Sequence, residues 1–143
     1  MRHEKMTTMI SSLPWLGIAV AFVLYTALGA IWFTVLFRKR YLYTLDRPLN
    51  EPPSKDPIFF VGPMICTAVI VLTTAVLMEW LNIHTYGDAL WFALLAGFGY
   101  LVANTLNIAI NPNMPRPVAY AVLSGAYHLV AMVIACSVLV GLG

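Results

Sequence analysis

The chain has 143 residues, of which 61% are hydrophobic and only 10% are charged, and its net charge at pH 7 is +2. Soluble domains contain about 25% charged residues, so this composition excludes an ordinary soluble globular domain and predicts an integral membrane protein in contact with the lipid bilayer. The small net charge argues against nucleic-acid binding. The length leaves no room for a soluble catalytic domain beside the membrane segments.

Four stretches of the chain are apolar and almost free of charge, and each is long enough to cross a bilayer, which takes about 20 residues. They predict helices over residues 14–37, 58–80, 88–110 and 117–142. Helices joined in this way alternate in direction across the membrane. We therefore predict an all-α fold: an integral membrane bundle of four antiparallel transmembrane helices, forming a single transmembrane domain over residues 1–143.

The first predicted helix follows Arg2 and Lys5, as the apolar core of a signal peptide would. Its core is longer than that of a signal peptide, and a basic segment follows it directly, so we expect a retained helix. Residues 38–57 then form the one substantial loop, which is basic and rich in proline. Because proline disfavours helix at its own position and at the preceding residue, we expect this loop to be extended.

Lys and Arg in short loops favour the cytoplasmic side of a membrane. One side of the predicted bundle carries most of these cations: Arg38, Lys39, Arg40, Arg47, Lys55 and Arg116. The opposite side carries only Arg2 and Lys5. We therefore expect a location such as the bacterial inner membrane, with both termini outward and the loop 38–57 in the cytoplasm.

Small residues recur at four-residue spacing on three of the predicted helices, which lets helix backbones approach closely in lipid. On the first helix this stripe comprises Gly17, Ala21, Tyr25 and Gly29, with Trp32 continuing the same side. The third helix repeats the spacing at Ala93 and Gly97, and the fourth repeats it at Ala121 with Gly125 and at Ala131 with Ala135. Since the first-helix stripe has no evident need inside the chain, we predict that it packs against another subunit or a second copy.

Polar residues follow one face of each of the last two helices, at helical spacing. The set on the third helix is Tyr100, Asn104 and Asn107, and the set on the fourth is Tyr120, Ser124 and His128. Antiparallel helices from a shared turn bring residues of equal depth together, and polar groups in hydrocarbon need partners. The sequence therefore predicts a ladder of interhelical hydrogen bonds, with Asn107 opposite Tyr120, Asn104 opposite Ser124 and Tyr100 opposite His128.

His128 falls near the middle of its helix, where an ionisable residue is a functional candidate by default. One interpretation is a neutral structural histidine that bonds Tyr100 or a backbone carbonyl. The others are an axial ligand to a haem iron or a chlorin magnesium, and a proton relay or substrate contact. His3 and His84 lie at other depths and cannot supply a second ligand within one subunit. The sequence indicates no metal cluster and no cofactor.

Two motifs resemble a known family. The run Leu28-Gly29-Ala30-Ile31-Trp32-Phe33, followed by Leu36-Phe37 and a basic segment, is similar to the first-helix signature of domain-of-unknown-function family 1761. Arg116-Pro117 and the later Ala126-Tyr127-His128 are similar to that family's Arg-Pro and Gly-Tyr-His, with alanine in place of glycine. The resemblance implies a four-helix membrane domain of no assigned activity. It draws attention to Trp32, Asn104, Arg116, Tyr127 and His128 as shared-site residues.

The sequence offers no acid pair, no metal-ligand cluster and no nucleophile beside a base, so we do not expect an enzyme. We expect a small membrane scaffold or accessory subunit, present as a homodimer or within a larger membrane complex. A small transporter or channel is the alternative, with the polar faces of the last two helices lining a path. A further alternative is a haem- or chlorin-binding subunit that uses His128.

Overall fold

A computed structural model describes residues 11–143, and Arg2 and Lys5 lie outside this part of the chain. Its regular structure is helical throughout: α1 (Trp15–Leu36), α2 (Arg38–Thr44), α3 (Ile58–Trp80), α4 (Tyr86–Ala109) and α5 (Pro117–Gly141). Four of these helices, α1, α3, α4 and α5, are long and apolar enough to cross a membrane. The prediction of an all-α bundle with four membrane-length helices is therefore confirmed.

The loop prediction for residues 38–57 is wrong in its first third, which forms the short helix α2. The prolines of this segment begin at Pro48, so nothing in residues 38–44 prevents helix formation. Thr44 ends the helix with its side chain buried, and its hydroxyl donates to the carbonyl of Tyr41 at 2.7 Å. Asp46, which follows in a left-handed conformation with φ of 55°, turns the chain away from the helix axis.

The helix α4 begins two residues earlier than the sequence pattern predicts, because Thr85 caps it. The Thr85 hydroxyl oxygen accepts the Asp88 N–H at 3.1 Å, and the same hydroxyl donates to the Asp88 carboxylate at 2.7 Å. A side-chain cap and an acid in the first turn both stabilise a helix start. Capping thus decides this boundary, and the charge of Asp88 does not end the helix.

The helix α5 is the centre of the bundle, with α1 and α4 packed against it and α3 packed against α1. The small residues of α4 and α5 that are predicted to permit close approach are all buried: Ala93, Gly97, Ala121, Gly125, Ala131 and Ala135. At Gly125, a β-carbon would lie 3.1 Å from Val102 of α4, and at Gly97 it would lie 2.9 Å from Leu129 of α5. The lack of a side chain at these points lets α4 and α5 approach each other closely.

The connections gather at two ends. Residues 37–57 and 110–116 lie at the same end, since Arg116 contacts Tyr43 and Asp46. We call it the basic end, because these two segments carry most of the Lys and Arg residues. At the opposite end, Ser12 donates to the Glu79 carboxylate at 3.1 Å. The connection 81–85 and the carboxyl terminus lie at this opposite end.

Two of the long helices contain a π-helical segment, Trp32–Leu36 in α1 and Gly97–Val102 in α4. In the first, the Phe37 N–H donates to the Trp32 carbonyl, five residues back, at 2.8 Å. A π segment accommodates an extra residue within the turn. Because an α-helix turns by about 100° per residue, the residues beyond such a segment point in a different direction from the one that a regular helix predicts.

Candidate functional site

A polar contact between α1 and α5 lies inside the bundle, where Tyr25 meets His128. The Tyr25 side chain is 1% exposed, and its hydroxyl forms a hydrogen bond of 3.0 Å with Nδ1 of His128. The Tyr127 hydroxyl donates to the backbone carbonyl of Tyr25 at 3.3 Å. The rings of Tyr25 and Tyr127 meet edge to face with centroids 5.6 Å apart, a favourable aromatic geometry. These bonds fix α1 against α5.

Gly29 provides the space into which the end of Tyr127 fits. A β-carbon at Gly29 would lie 2.8 Å from the Tyr127 hydroxyl oxygen and 3.1 Å from Cζ of the same ring. Any larger residue at this position would therefore push the Tyr127 ring off the helix surface. The two residues are complementary in shape, because Gly29 on α1 has no side chain where the buried phenol of Tyr127 on α5 packs.

The π segment of α1 begins at Trp32, whose indole points across to α5. Its Nε1–H donates to the backbone carbonyl of Leu123 at 3.2 Å, so the one polar atom of the indole is satisfied. The ring also contacts Phe37, with centroids 4.6 Å apart, and lies 6.3 Å from the ring of Tyr127. Trp32 therefore adds a third polar contact between α1 and α5, seven residues (about two turns) beyond Tyr25 toward the basic end.

Aromatic contacts continue from this point to the short helix α2. Phe33 lies 5.3 Å from Tyr127 and 4.9 Å from Tyr41, measured between ring centroids. Tyr41 in turn lies 6.3 Å from Tyr120. Burial raises the pKa of the Tyr41 hydroxyl above its ordinary value, and the neighbouring Tyr120 adds to the effect. We call the connected rings the aromatic cluster: Tyr25, Trp32, Phe33, Phe37, Tyr41, Tyr120, Tyr127 and His128.

Arg116 joins α2 to the start of α5 at the basic end. Its guanidinium stacks 4.0 Å above the ring of Tyr43, and Nη1 donates to the Tyr43 carbonyl. The same group lies 3.0 Å from the carboxylate of Asp46. Tyr43 and Asp46 were missed by the sequence analysis. No pattern within residues 43–46 marks them, since their role depends on an arginine 70 residues later in the chain.

The stripe on α1 faces the interior of the bundle, which corrects the prediction that it meets another subunit. Ala21 and Tyr25 are buried against α5, and a β-carbon at Gly17 would lie 3.5 Å from Leu142. Gly29 and Trp32 contact Tyr127, as described above. The physical reason is that the chain supplies the complementary surface itself, because the Tyr127 side chain of α5 fills the space over Gly29 and Leu142, directly after α5, lies over Gly17.

The predicted ladder between α4 and α5 is wrong, because its two rows do not face each other. Tyr100 is 76% exposed, and Asn104 and Asn107 are exposed on the outer side of α4. On α5, His128 bonds to Tyr25 and Tyr120 packs on Tyr41, both away from α4. The predicted pairs therefore do not form. The α4 row comprises Tyr100, Asn104 and Asn107, and it is separated from the α5 row of Tyr120, Ser124 and His128.

The π segment of α4 explains this separation. The residues that face α5 are Ala89, Ala93 and Gly97, and then, after an offset of five, Val102, Thr105 and Ala109. A regular helix would continue the inner face from Gly97 to Asn104, which lies seven residues on, about two full turns. The extra residue in Gly97–Val102 rotates the last part of α4 by about 100°. Asn104 and Asn107 are thereby turned outward.

Ser124, the middle member of the α5 row, is buried, and its hydroxyl has no hydrogen-bond partner within residues 11–143. The Asn104 and Asn107 amides likewise bond to no group in the part of the chain that the structure describes. We call Tyr100, Asn104 and Asn107 the outward polar row. The side chains of this row are exposed. In the aromatic cluster, by contrast, the polar atoms of Tyr25, Tyr127 and Trp32 form hydrogen bonds inside the bundle.

The basic loop uses part of its charge internally. Arg38 donates to the carbonyls of Leu49 at 3.2 Å and Glu51 at 2.9 Å, and Arg47 forms an ion pair of 3.1 Å with the Glu51 carboxylate. Lys39 and Arg40 are exposed on α2. Among residues 11–143, no three His, Cys, Asp or Glu side chains come together as a metal site would require.

A family model described as "Protein of unknown function (DUF1761)" matches residues 16–140. The chain belongs to this family. No curated protein and no solved structure matches it. The two motifs that resemble the family lie near opposite ends of the sequence, and the fold brings them together: Gly29 receives Tyr127, and Trp32 and Phe33 lie beside the Tyr127 ring. In this member of the family, the first and last spans therefore meet through the motif residues.

Proposed function

We propose that this protein is a small membrane scaffold or accessory subunit without catalytic activity of its own, which packs against partner helices in a membrane complex. One observation carries the proposal: the amides of Asn104 and Asn107 lie on the exposed side of a membrane-length helix. The hydrocarbon interior offers such a group no hydrogen-bond partner, and Asn104 lies about 7.5 Å inside the end of α4 at Ala109, at about 1.5 Å per residue. A polar side chain at this position is satisfied when another helix packs over it.

The interior of the bundle supports the same interpretation. The polar atoms of Tyr25, Trp32 and Tyr127 bond to His128 or to backbone carbonyls across the α1–α5 contact. Each of these bonds links α1 to α5, which is a structural role rather than a catalytic or transport role. The aromatic cluster is therefore proposed to give the bundle a fixed shape, on which the outward polar row is displayed.

The transporter alternative has less support from the geometry. A polar path between α4 and α5 would need the two polar rows to face each other, and the π segment turns Asn104 and Asn107 away from Ser124 and His128. The haem or chlorin alternative would have to use Nε2 of His128, because Nδ1 is bonded to the Tyr25 hydroxyl. Both alternatives remain as outcomes of the test below.

The test is purification from membranes in mild detergent, with a comparison of the wild type and the double variant Asn104→Leu, Asn107→Leu. The proposal predicts that the wild type migrates as an assembly and that the double variant migrates as a smaller species of unchanged helicity. Thr73→Leu is the matched control, because Thr73 is a polar residue on the exposed side of α3. This control should leave the assembly intact.

Three results would contradict the proposal. A wild type that is monomeric without partners would remove the scaffold role, and so would an assembly that survives the loss of both amides. A coloured wild-type fraction whose absorbance disappears in His128→Leu would instead assign a cofactor-binding role. In that case His128, rather than the outward polar row, would be the functional centre.

A further inference from the structure

We propose that the partner of the outward polar row is a second copy of this chain, and that two copies meet through α4 about a twofold axis along the membrane normal. This inference rests on the proposed function, because it names the helix that covers Asn104 and Asn107. The sequence pattern predicts self-association at the α1 stripe. Since that stripe lies inside the bundle, we place self-association at α4 instead.

Because α4 lies at the edge of the bundle, one side of this helix is not covered by the other helices that the structure describes. Its packing partner is α5, to which it presents Ala89, Ala93 and Gly97 and then, beyond the π segment, Val102. The opposite side is exposed along its length, from Trp91 and Leu95 to Asn104 and Asn107. A helix at the edge of the bundle can accept a second helix without rearrangement of the chain.

Symmetry favours a second copy over an unrelated helix. When the charge bias gives every copy the same orientation in the bilayer, a symmetric pair has its axis along the membrane normal. Residues close to such an axis meet their own copies at the same depth. Asn104 would therefore meet Asn104 of the second copy, whereas an unrelated helix would need polar groups at matching depths.

The chemistry of the row is complementary to itself. An asparagine side chain carries both a carbonyl acceptor and an NH₂ donor, so two identical amides can bond to each other in both directions. Residues 89–111 contain no charged side chain, so no like charges would oppose the pairing of two α4 helices. A row of lysines or glutamates at the same positions would repel its own copy.

The backbone of α4 is accessible at the height of the π segment. A β-carbon at Gly99 would meet nothing within 4 Å, and Ala103, four residues further on, is exposed. Small residues at this spacing let two helices approach closely enough for their polar side chains to bond. The amides and the small residues thus lie on the same exposed part of the helix.

Disulfide cross-linking in native membranes tests the interface. Cys66 and Cys136 are first replaced by alanine, and a single cysteine is introduced as Ala103→Cys, close to the proposed axis. Mild oxidation should link two copies, giving a dimer on a non-reducing gel. The matched control is Val122→Cys, which is exposed on α5 and lies within about 3 Å of the same depth, at about 1.5 Å per residue from the shared turn. The control should not link.

The amides provide the second arm of the test. In detergent, with two differently tagged copies expressed together, Asn104→Leu and Asn107→Leu should each weaken self-association by about 3- to 30-fold, the effect of losing one interhelical hydrogen bond. The far-ultraviolet circular dichroism and thermal unfolding of the monomer should stay unchanged. Gly99→Leu should also weaken association, because it would block the close approach of the backbones.

The outcomes separate this inference from the proposed function. In one outcome the two tags never co-purify, although the assembly still depends on Asn104. This result would show that the partner is not a second copy, and it would be consistent with the scaffold role. Equal cross-linking at Ala103 and Val122 would show random collision and overturn the interface. A wild type without self-association and without other partners would overturn both proposals together.

Discussion

The Tyr127 hydroxyl lies 2.8 Å from the point that a β-carbon on Gly29 would occupy. The same phenol donates to the Tyr25 carbonyl, so the missing side chain at Gly29 and the hydrogen bond of Tyr127 depend on each other. This pair joins the two motifs that resemble the family, because Gly29 belongs to the first and Tyr127 to the second. It constrains the α1–α5 contact, because a side chain at Gly29 and the Tyr127 ring cannot occupy the same space.

The variant Gly29→Ala should lower the stability of the protein by about 1–3 kcal/mol, the usual cost of an overpacked core. The added methyl group would displace the Tyr127 ring and lengthen its bond to Tyr25. Thermal unfolding in detergent, followed by circular dichroism, measures the loss. Gly62→Ala is the control, because a β-carbon there would meet only Ile58, at 3.9 Å.

The same measurement in a Tyr127→Phe background tests the cause. Removal of the hydroxyl takes away the closest atom, so Gly29→Ala should cost less in this background than in the wild type. An equal loss in both backgrounds would show that the phenol is not the origin of the strain, and that Gly29 acts through the helix backbone.

The hydrogen bond between Tyr25 and His128 predicts energetic coupling between these two residues. A double-mutant cycle with Tyr25→Phe and His128→Leu should give an interaction energy of about 0.6–2 kcal/mol, typical of polar contacts between membrane helices. The measurement is the unfolding free energy of the four proteins in mixed detergent micelles.

Tyr100→Phe is the comparison for this cycle, because Tyr100 is exposed on α4 and does not contact His128. Its cycle with His128→Leu should give an interaction energy near zero. Coupling of His128 to Tyr100, but not to Tyr25, would restore the ladder that the sequence pattern predicts and would contradict the rotation of α4.

The π segment of α4 predicts that one residue can be removed from it at little cost. Deletion of Gly99 should convert Gly97–Val102 into regular α-helix, and the offset from Gly97 to Val102 would fall from five residues to four. Both residues would then still face α5, since a spacing of four keeps residues on one face. The melting temperature should therefore change little.

Deletion of Thr73 is the control for this experiment, because Thr73 lies on the exposed side of α3 in a regular helix. Its removal would rotate Thr67 and Val71 by about 100° relative to Ala75 and Met78. These buried residues could not all face the bundle, so the control should unfold at a clearly lower temperature. A destabilisation as large for Gly99 would argue that the extra residue is needed where it is.

The orientation of the bundle is predicted from the positive charges of the basic end. In a background without Cys66 and Cys136, single cysteines at Ser54 and His84 should react with a membrane-impermeant reagent from opposite sides. His84 should be labelled in intact cells and Ser54 only after lysis. A cysteine at His84 leaves the neighbouring Thr85 free to cap α4.

Labelling of Ser54 from outside, with His84 protected, would reverse the orientation and leave the fold untouched. Labelling of both positions from outside would be incompatible with a bundle in which α3 crosses the membrane. Each result is read against complete labelling in permeabilised cells, which controls for the reactivity of the two thiols.

The amino-acid sequence by itself determined that four helices are long and apolar enough to cross a membrane. This property is local, because the hydrocarbon core selects each stretch by its own length and polarity. The small residues that permit close packing were also readable, since helical spacing alone puts Ala93 on one face with Gly97 and Ala131 on one face with Ala135. The resemblance to the family was also readable, from short motifs around Trp32 and His128, and the family model over residues 16–140 confirms it.

Only the tertiary structure decided which way each face points. A small-residue stripe has the same spacing whether it meets α5 or another molecule, and the complementary side chain, Tyr127, lies 98 positions from Gly29 in the sequence. The rotation of Asn104 and Asn107 depends on one extra residue held in a π turn, a backbone hydrogen-bond rearrangement that residue types do not specify. The partner of His128 was decided in the same way, because the packing of α1 on α5 brings Tyr25, rather than Tyr100, within 3.0 Å of its ring.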